Sequence, residues 1–247
     1  GACERAGACG FVLQEFCLAD PELNENNLQR ILLSRGIHGV LIAPPSHPNL
    51  SIQMDWEYFA VAALGQNLAH PRVHHAAAAA YQDTYNMLSE LKAMGYQRPA
   101  AILGRRNERN QHSQRWAIFE HLSRQLWGLS QPYAFLCDDA LTERTQVEAW
   151  LREVQPDVVI SSYHQFKASV ATVLGKVPAD VGYVAVENSA SEEDARIDFV
   201  PETVGAVGID LVTAQLYRNE RGIPSVAKAV QVESPFVRGS SLRVLTP

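Results

Sequence analysis

Few of the chain's reactive side chains stand in a reacting pattern. Among the 247 residues there is no GxSxG nucleophile elbow, no HExxH zinc helix and no phosphate-cradling Walker loop. The string GAVGID at 205–210 lacks the third glycine and the strand-to-helix placement of a dinucleotide fingerprint. His74 and His75 are neighbours in an extended run, so they point to opposite sides and cannot chelate a metal as a pair. Glu187, Glu192, Glu193 and Asp194 lack the spaced ligands and glycine of a calcium loop, and read as a solvated loop. Cys3, Cys9, Cys17 and Cys137 form no CxxC pair and read as scattered, buried thiols of an intracellular protein. The expectation is no catalytic residue, no metal and no cofactor. Recognition is the chemistry that remains. The planar guanidinium of Arg115 offers a rigid fork of donors suited to vicinal hydroxyls or a carboxylate, although an exposed helix arginine is the plain alternative.

The elements that would carry these groups alternate between short apolar runs and helical stretches, the pattern of a parallel sheet with crossover helices. Strands are expected at 11–16, 39–45, 59–65, 100–104, 133–137, 157–162 and 181–186, with an edge strand in the tail at 230–242. Helices are expected at 23–35, 81–94, 113–126, 145–154, 166–174 and 201–218, the last with Val204, Val207, Leu211, Val212 and Leu216 as one apolar stripe. Gly36 and Gly95 close two of them. The alanine run at 76–80 reads as a tightly packed strand end and helix start, and the opening GACERAGACG as the last turns of a helix ending at Gly10. That opening suggests a natural protein that begins further upstream. The aperiodic segment 66–72, with Pro71, is expected to be the first crossing between lobes.

Length favours two lobes, because single hydrophobic cores stop growing near this size. With 47% hydrophobic and 19% charged residues the chain buries ample apolar surface. Lysine and arginine total 21 against 27 acidic residues, a net charge of −6, so this stretch has no excess of cations to displace counterions from a nucleic acid. No apolar run is long enough for a membrane span and no signal-peptide pattern opens the chain, so a cytoplasmic location is expected.

Six strings in order resemble the effector-binding domain of LacI/GalR transcription regulators. They are LQRILLSRGIHGVLIAPP (28–45), LSELKAMGYQRPAAILG (88–104), SQRWAIF (113–119), PDVVISSYHQ (156–165), LGKVPADVGYVAVEN (174–188) and FVRGSSL (236–242). The resemblance implies an α/β fold of two doubly wound parallel-sheet lobes, periplasmic-binding-protein-like type I, with ligand in the cleft between them. It implies one lobe from 1–72 with 200–228 and another from 73–199 with 229–247. It also implies a helix-turn-helix head, absent from this stretch, through which operator DNA would be bound. A homodimer is implied because such regulators read two-fold operators.

By the same resemblance, Arg115 matches the position that reaches effector hydroxyls or a carboxylate. Tyr163 and His164 stand where the family usually has Asn-Asp, and Glu187 and Asn188 where it usually has Asp-Asp. All four follow strands and are expected to face the ligand. An aromatic ring at 163 argues against a simple hexose, and these residues serving only to pin strand ends is the alternative. On the other lobe Pro45, Ser46, Gly65, Gln66 and Pro201 are the candidates. Trp116 or Trp56 would supply an aromatic wall, with a core role as the alternative for either. The function implied is the small-molecule sensor of a DNA-binding regulator, taking a sugar or sugar-like effector and catalysing nothing. The competing function is a stand-alone solute-binding protein delivering a sugar to a transporter.

Overall fold

The computed structural model describes residues 1–245 apart from 19, 21, 22, 24, 45–49, 106–113 and 187–190, and for Asn26 the backbone only. The chain forms two compact units, Gly1–Ala78 with Val200–Val232, and Ala79–Phe199 with Glu233–Pro247.

The first unit is built on four parallel strands, in the order β1 (Gly39–Ile42), β3 (Ala60–Leu64), β5 (His74–Ala78), β11 (Ala229–Val232). Successive side chains alternate across a strand, so each strand feeds two layers. Val61 and Ala63 pack with Ile42, Trp56 and Phe59 under α2 (Glu25–Ser34), which contributes Leu28 and Leu32. Ala60 and Ala62 face the other way, onto Val212 of α7 (Pro201–Tyr217). Small strand residues let that helix approach closely. A β-carbon on Gly208 would lie 2.5 Å from Leu64 Cδ2. The buried side of α7 thus runs through Gly205, Gly208, Ile209 and Val212, while Val204 and Val207 of the expected stripe are only half-buried. α7 also packs against α1 (Ala2–Ala8), where Ala2 lies against Gly205 and Arg5 pairs with Asp210 at 2.6 Å. A short pair, β2 (Leu50–Ser51) with β4 (Leu68–His70), lies apart from the main sheet.

The second unit carries six strands in the order β12 (Phe236–Val237), β10 (Ala195–Ile197), β9 (Gly182–Ala185), β8 (Val158–Ser161), β6 (Pro99–Gly104), β7 (Tyr133–Cys137). All pairings are parallel except β12 with β10. One face, with Ala101, Leu103, Val158, Ile160 and Val184, packs on α3 (Ala80–Ala93) and α4 (Gln114–Trp127) through Met87, Leu88, Leu91, Phe119 and Leu122. The intervening residues Ile102, Val159, Tyr183 and Ala185 pack on α5 (Arg144–Val154) and α6 (Phe166–Leu174) through Val147, Leu151, Phe166 and Val170. This is the doubly wound parallel arrangement expected of an α/β, periplasmic-binding-protein-like chain.

Several expectations are corrected. Residues 11–16 are not a strand: Val12 is 97% exposed and the segment pairs with no neighbour among the described residues. The segment 66–72 is not a crossing, since β4 and β5 keep the chain in the first unit through Ala78. The tail at 230–242 is not one strand, because β11 joins the first sheet and β12 the second. Cys3 and Cys17 are exposed; only Cys137 is buried, and burial pushes its thiol up to about 11. Asp194 is not solvated, since it is buried and paired with Lys167.

Candidate functional site

The residues with recognition chemistry gather at the carboxyl edge of the second unit's sheet. Parallel strands deliver their carboxyl ends, and the starts of the helices that follow, to one edge. Arg115 is the second residue of α4 and is half-buried, with its guanidinium over the ring of Phe199, 5.5 Å from the centroid. Phe199 lies two residues beyond β10, so its ring joins the same edge.

Asp83 stands in the first turn of α3, where the helix N-terminus favours negative charge. Its side chain is 1% exposed. Oδ1 accepts a hydrogen bond from the backbone N–H of Ser234 at 2.9 Å. Burial, foremost, raises its carboxyl pKa above the ordinary value, against the lowering effect of the Ser234 backbone hydrogen bond. Asp83 was missed in the sequence because a polar residue in an amphipathic helix reads as solvent-facing, and its partner is 151 residues away.

A second group forms along β6, β7 and β8. Arg105, just past β6, pairs with Asp138, just past β7, at 2.9 Å and donates to the Leu136 carbonyl at 2.8 Å. The Tyr163 hydroxyl donates to the Cys137 carbonyl at 3.3 Å, its ring meets Phe166 edge-on, and its carbonyl accepts from the hydroxyls of Ser161 and Tyr183, each at 2.9 Å. These contacts hold three strand ends in register, the pinning role that was the alternative for Tyr163. His164 is half-buried beside it. Arg105 and Asp138 were legible only as the residues following the strings AAILG and YAFLC.

The other expected residues fare unevenly. Trp116 is half-buried and packs on the α3–α4 core, while Trp56 is 5% exposed inside the first unit's core; neither stands out as a free platform. Gln66 is exposed, following Gly65, whose φ of +82° only glycine adopts readily. Pro201 is exposed at the first position of α7, where its missing N–H costs nothing. Pro45, Ser46, Glu187 and Asn188 lie outside the described residues. His74 and His75 do diverge along β5: His74 is buried and its Nδ1 accepts the Lys228 N–H at 2.9 Å. Among the described residues no group of three or more metal-ligating side chains gathers, and no helix is long and apolar enough to cross a membrane.

No protein-family profile matches the chain and no curated protein matches it in sequence. Solved structures do match over nearly its whole length. A LacI family transcriptional regulator from Enterococcus faecium with bound ribose is 15% identical, covers 99% of this chain and 92% of its own, and superposes with a TM-score of 0.69. A LacI regulator from a Rhodococcus species is also 15% identical, with coverages of 98% and 91% and a TM-score of 0.70. The lac repressor dimer bound to operator and the anti-inducer ONPF is 15% identical, with coverages of 98% and 87% and a TM-score of 0.65. The two parallel sheets, each clad by helices on both faces and each assembled from discontinuous stretches of sequence, are thus the fold of the LacI-type transcriptional regulators.

Proposed function

We propose that the chain is the ligand-sensing domain of a LacI-type DNA-binding regulator, and that it takes a sugar or sugar-like molecule bearing hydroxyls or a carboxylate. The reading is carried by Arg115: a cationic fork at a helix start, seated on an aromatic ring, at the edge where open parallel sheets bind ligands. The ribose bound to the Enterococcus protein and the operator bound to the lac repressor support the same reading. In this reading the domain catalyses nothing and works in the cytoplasm. It acts as a homodimer and controls operator binding through a separate DNA-reading head by binding its effector more tightly in one of two conformations.

A thermal-shift screen of sugars and sugar acids finds the ligand, since a molecule that binds only the folded state raises stability by RT ln(1 + [L]/Kd). Calorimetry on Arg115→Ala then tests the site. A hydrogen bond to a charged group is worth roughly 1.5–3 kcal/mol, so affinity should fall about tenfold to a hundredfold. Unchanged affinity would remove Arg115 from the site.

A further inference from the structure

The chain passes between its two compact units three times, after Ala78, after Phe199 and after Val232. Two of these passages start side by side. β5 and β11, the strands that lead into them, pair in parallel from His75 with Ala229 to Ala78 with Val232. A buried ionisable side chain fastens each end of this pair. Before it, the His74 ring, 5% exposed, accepts the Lys228 N–H at Nδ1, 2.9 Å away. Beyond it, where both stretches have entered the second unit, Oδ1 of Asp83 accepts the Ser234 N–H, also at 2.9 Å. Both acceptors are side chains, so these two bonds lie outside the strand ladder and respond to protons as the ladder does not.

We propose that this double passage is a proton-sensitive joint, which acid releases at its His74 end and leaves fastened at its Asp83 end. The asymmetry follows from the atoms. Neutral His74 accepts through the one lone pair of Nδ1, so a proton placed there removes the acceptor and sets one N–H against another. Burial, foremost, and the charge of Lys228 push this uptake below the ordinary histidine range; Arg218 and His75 act in the same direction and Glu220 opposes them. Asp83 has an oxygen to spare. Oδ1 holds Ser234, while Oδ2 has no hydrogen-bond partner among the described residues, so Oδ2 takes the proton and Oδ1 remains a carbonyl oxygen that still accepts. Burial, foremost, brings this uptake above the ordinary carboxyl range; Glu233 acts in the same direction, and the Ser234 hydrogen bonds and the charge of Arg115 act against it.

Proton and nitrogen-15 NMR of the whole chain, without ligand, tests both ends. On acidification the Lys228 amide proton should move upfield with the midpoint of the His74 ring nitrogens. In His74→Asn, which keeps an acceptor that does not titrate, it should hold still. The Ser234 amide should keep its hydrogen-exchange protection through the titration of the Asp83 carboxyl. Asp83→Asn, with a neutral acceptor in place, should retain that protection, and Asp83→Ala should lower it roughly tenfold, the equivalent of one hydrogen bond. Should Asp83→Ala fail to fold, the wild-type titration and Asp83→Asn still decide that end. The amides shared by β1 and β3 are the control, since they belong to the same sheet but lie away from the passage. A Lys228 amide that ignores the His74 midpoint overturns the proposal. So does a Ser234 amide released as Asp83 protonates, or a loss of protection in the β1–β3 ladder equal to that at Lys228, which would mean general loosening of the sheet.

Discussion

His74 shows how one residue sets a pH response. Its ring is buried in the first unit, and its neutral Nδ1 is occupied by the Lys228 N–H, one residue before β11. Burial, foremost, and the charge of Lys228 push the imidazole pKa below its ordinary value; Arg218 and His75 add to this and Glu220 opposes it. A histidine whose folded-state pKa is depressed favours folding above its unfolded value, about 6.5, and loses that contribution as pH falls through the folded value. The melting temperature of the wild type should therefore decline on acidification from about pH 6.5. His74→Asn, which retains an acceptor but does not titrate, should flatten the decline. Parallel slopes in calorimetric scans would mean that His74 is not the sensing group. Asp83 bends the profile the other way at lower pH, since a raised carboxyl pKa stabilises the protonated folded state. The variant must therefore be compared with the wild type at each pH. Of the site itself, Arg115 was readable from its residue type and surrounding string. Asp83 was not, because its burial is created by Ser234 and the chain around it, which no local pattern in α3 reveals.

Among the elements, the tail string FVRGSSL does more than its expected role as an edge strand. Arg238 pairs with Glu90 of α3 at 2.6 Å, and Ser241 Oγ accepts from the Ala195 N–H at 2.8 Å while donating to the Tyr183 carbonyl at 2.6 Å. Gly239 sits at φ +56°, and a β-carbon there would lie 2.3 Å from the backbone nitrogen of Ala195. Because the obstructing atoms are backbone, the neighbour cannot swing aside. Gly239→Ala should cost roughly 2–4 kcal/mol from overpacking together with left-handed strain, and Ser241→Ala about 1–3 kcal/mol from two stranded backbone groups. Urea denaturation decides both, and losses under about 0.5 kcal/mol, as for ordinary surface changes, would refute the account. The apolar strands β6 to β9 and their helices were legible because each is covered on both faces. β10 was not, since Ala195–Ile197 is only three residues inside an acidic stretch and becomes a strand through its neighbours β9 and β12. Residues 11–16 erred the other way, apolar in type yet left without a partner strand.

For the whole molecule, the proposed function calls for a two-fold pair, because a closed symmetric dimer matches a two-fold operator. Sedimentation at micromolar concentration should give a mass near twice 27.3 kDa that falls on dilution. A monomer at every concentration would count against the regulator reading and toward a stand-alone binding protein. The discontinuous make-up of the units also bears on biosynthesis. The ribosome delivers β1, β3 and β5 early, but β11 and the covering helix α7 arrive only after the intervening stretch 79–199. That stretch is roughly 120 residues, about 6–24 s of synthesis at 5–20 residues per second. Throughout that interval the nascent first sheet exposes Ala60, Ala62 and Leu41 without Val212 and Leu216 to cover them. The later-made unit, contiguous but for its tail, is therefore the first to approach completion on the ribosome. Any chaperone that attends this chain during translation has its longest task at the first segment, Gly1–Ala78.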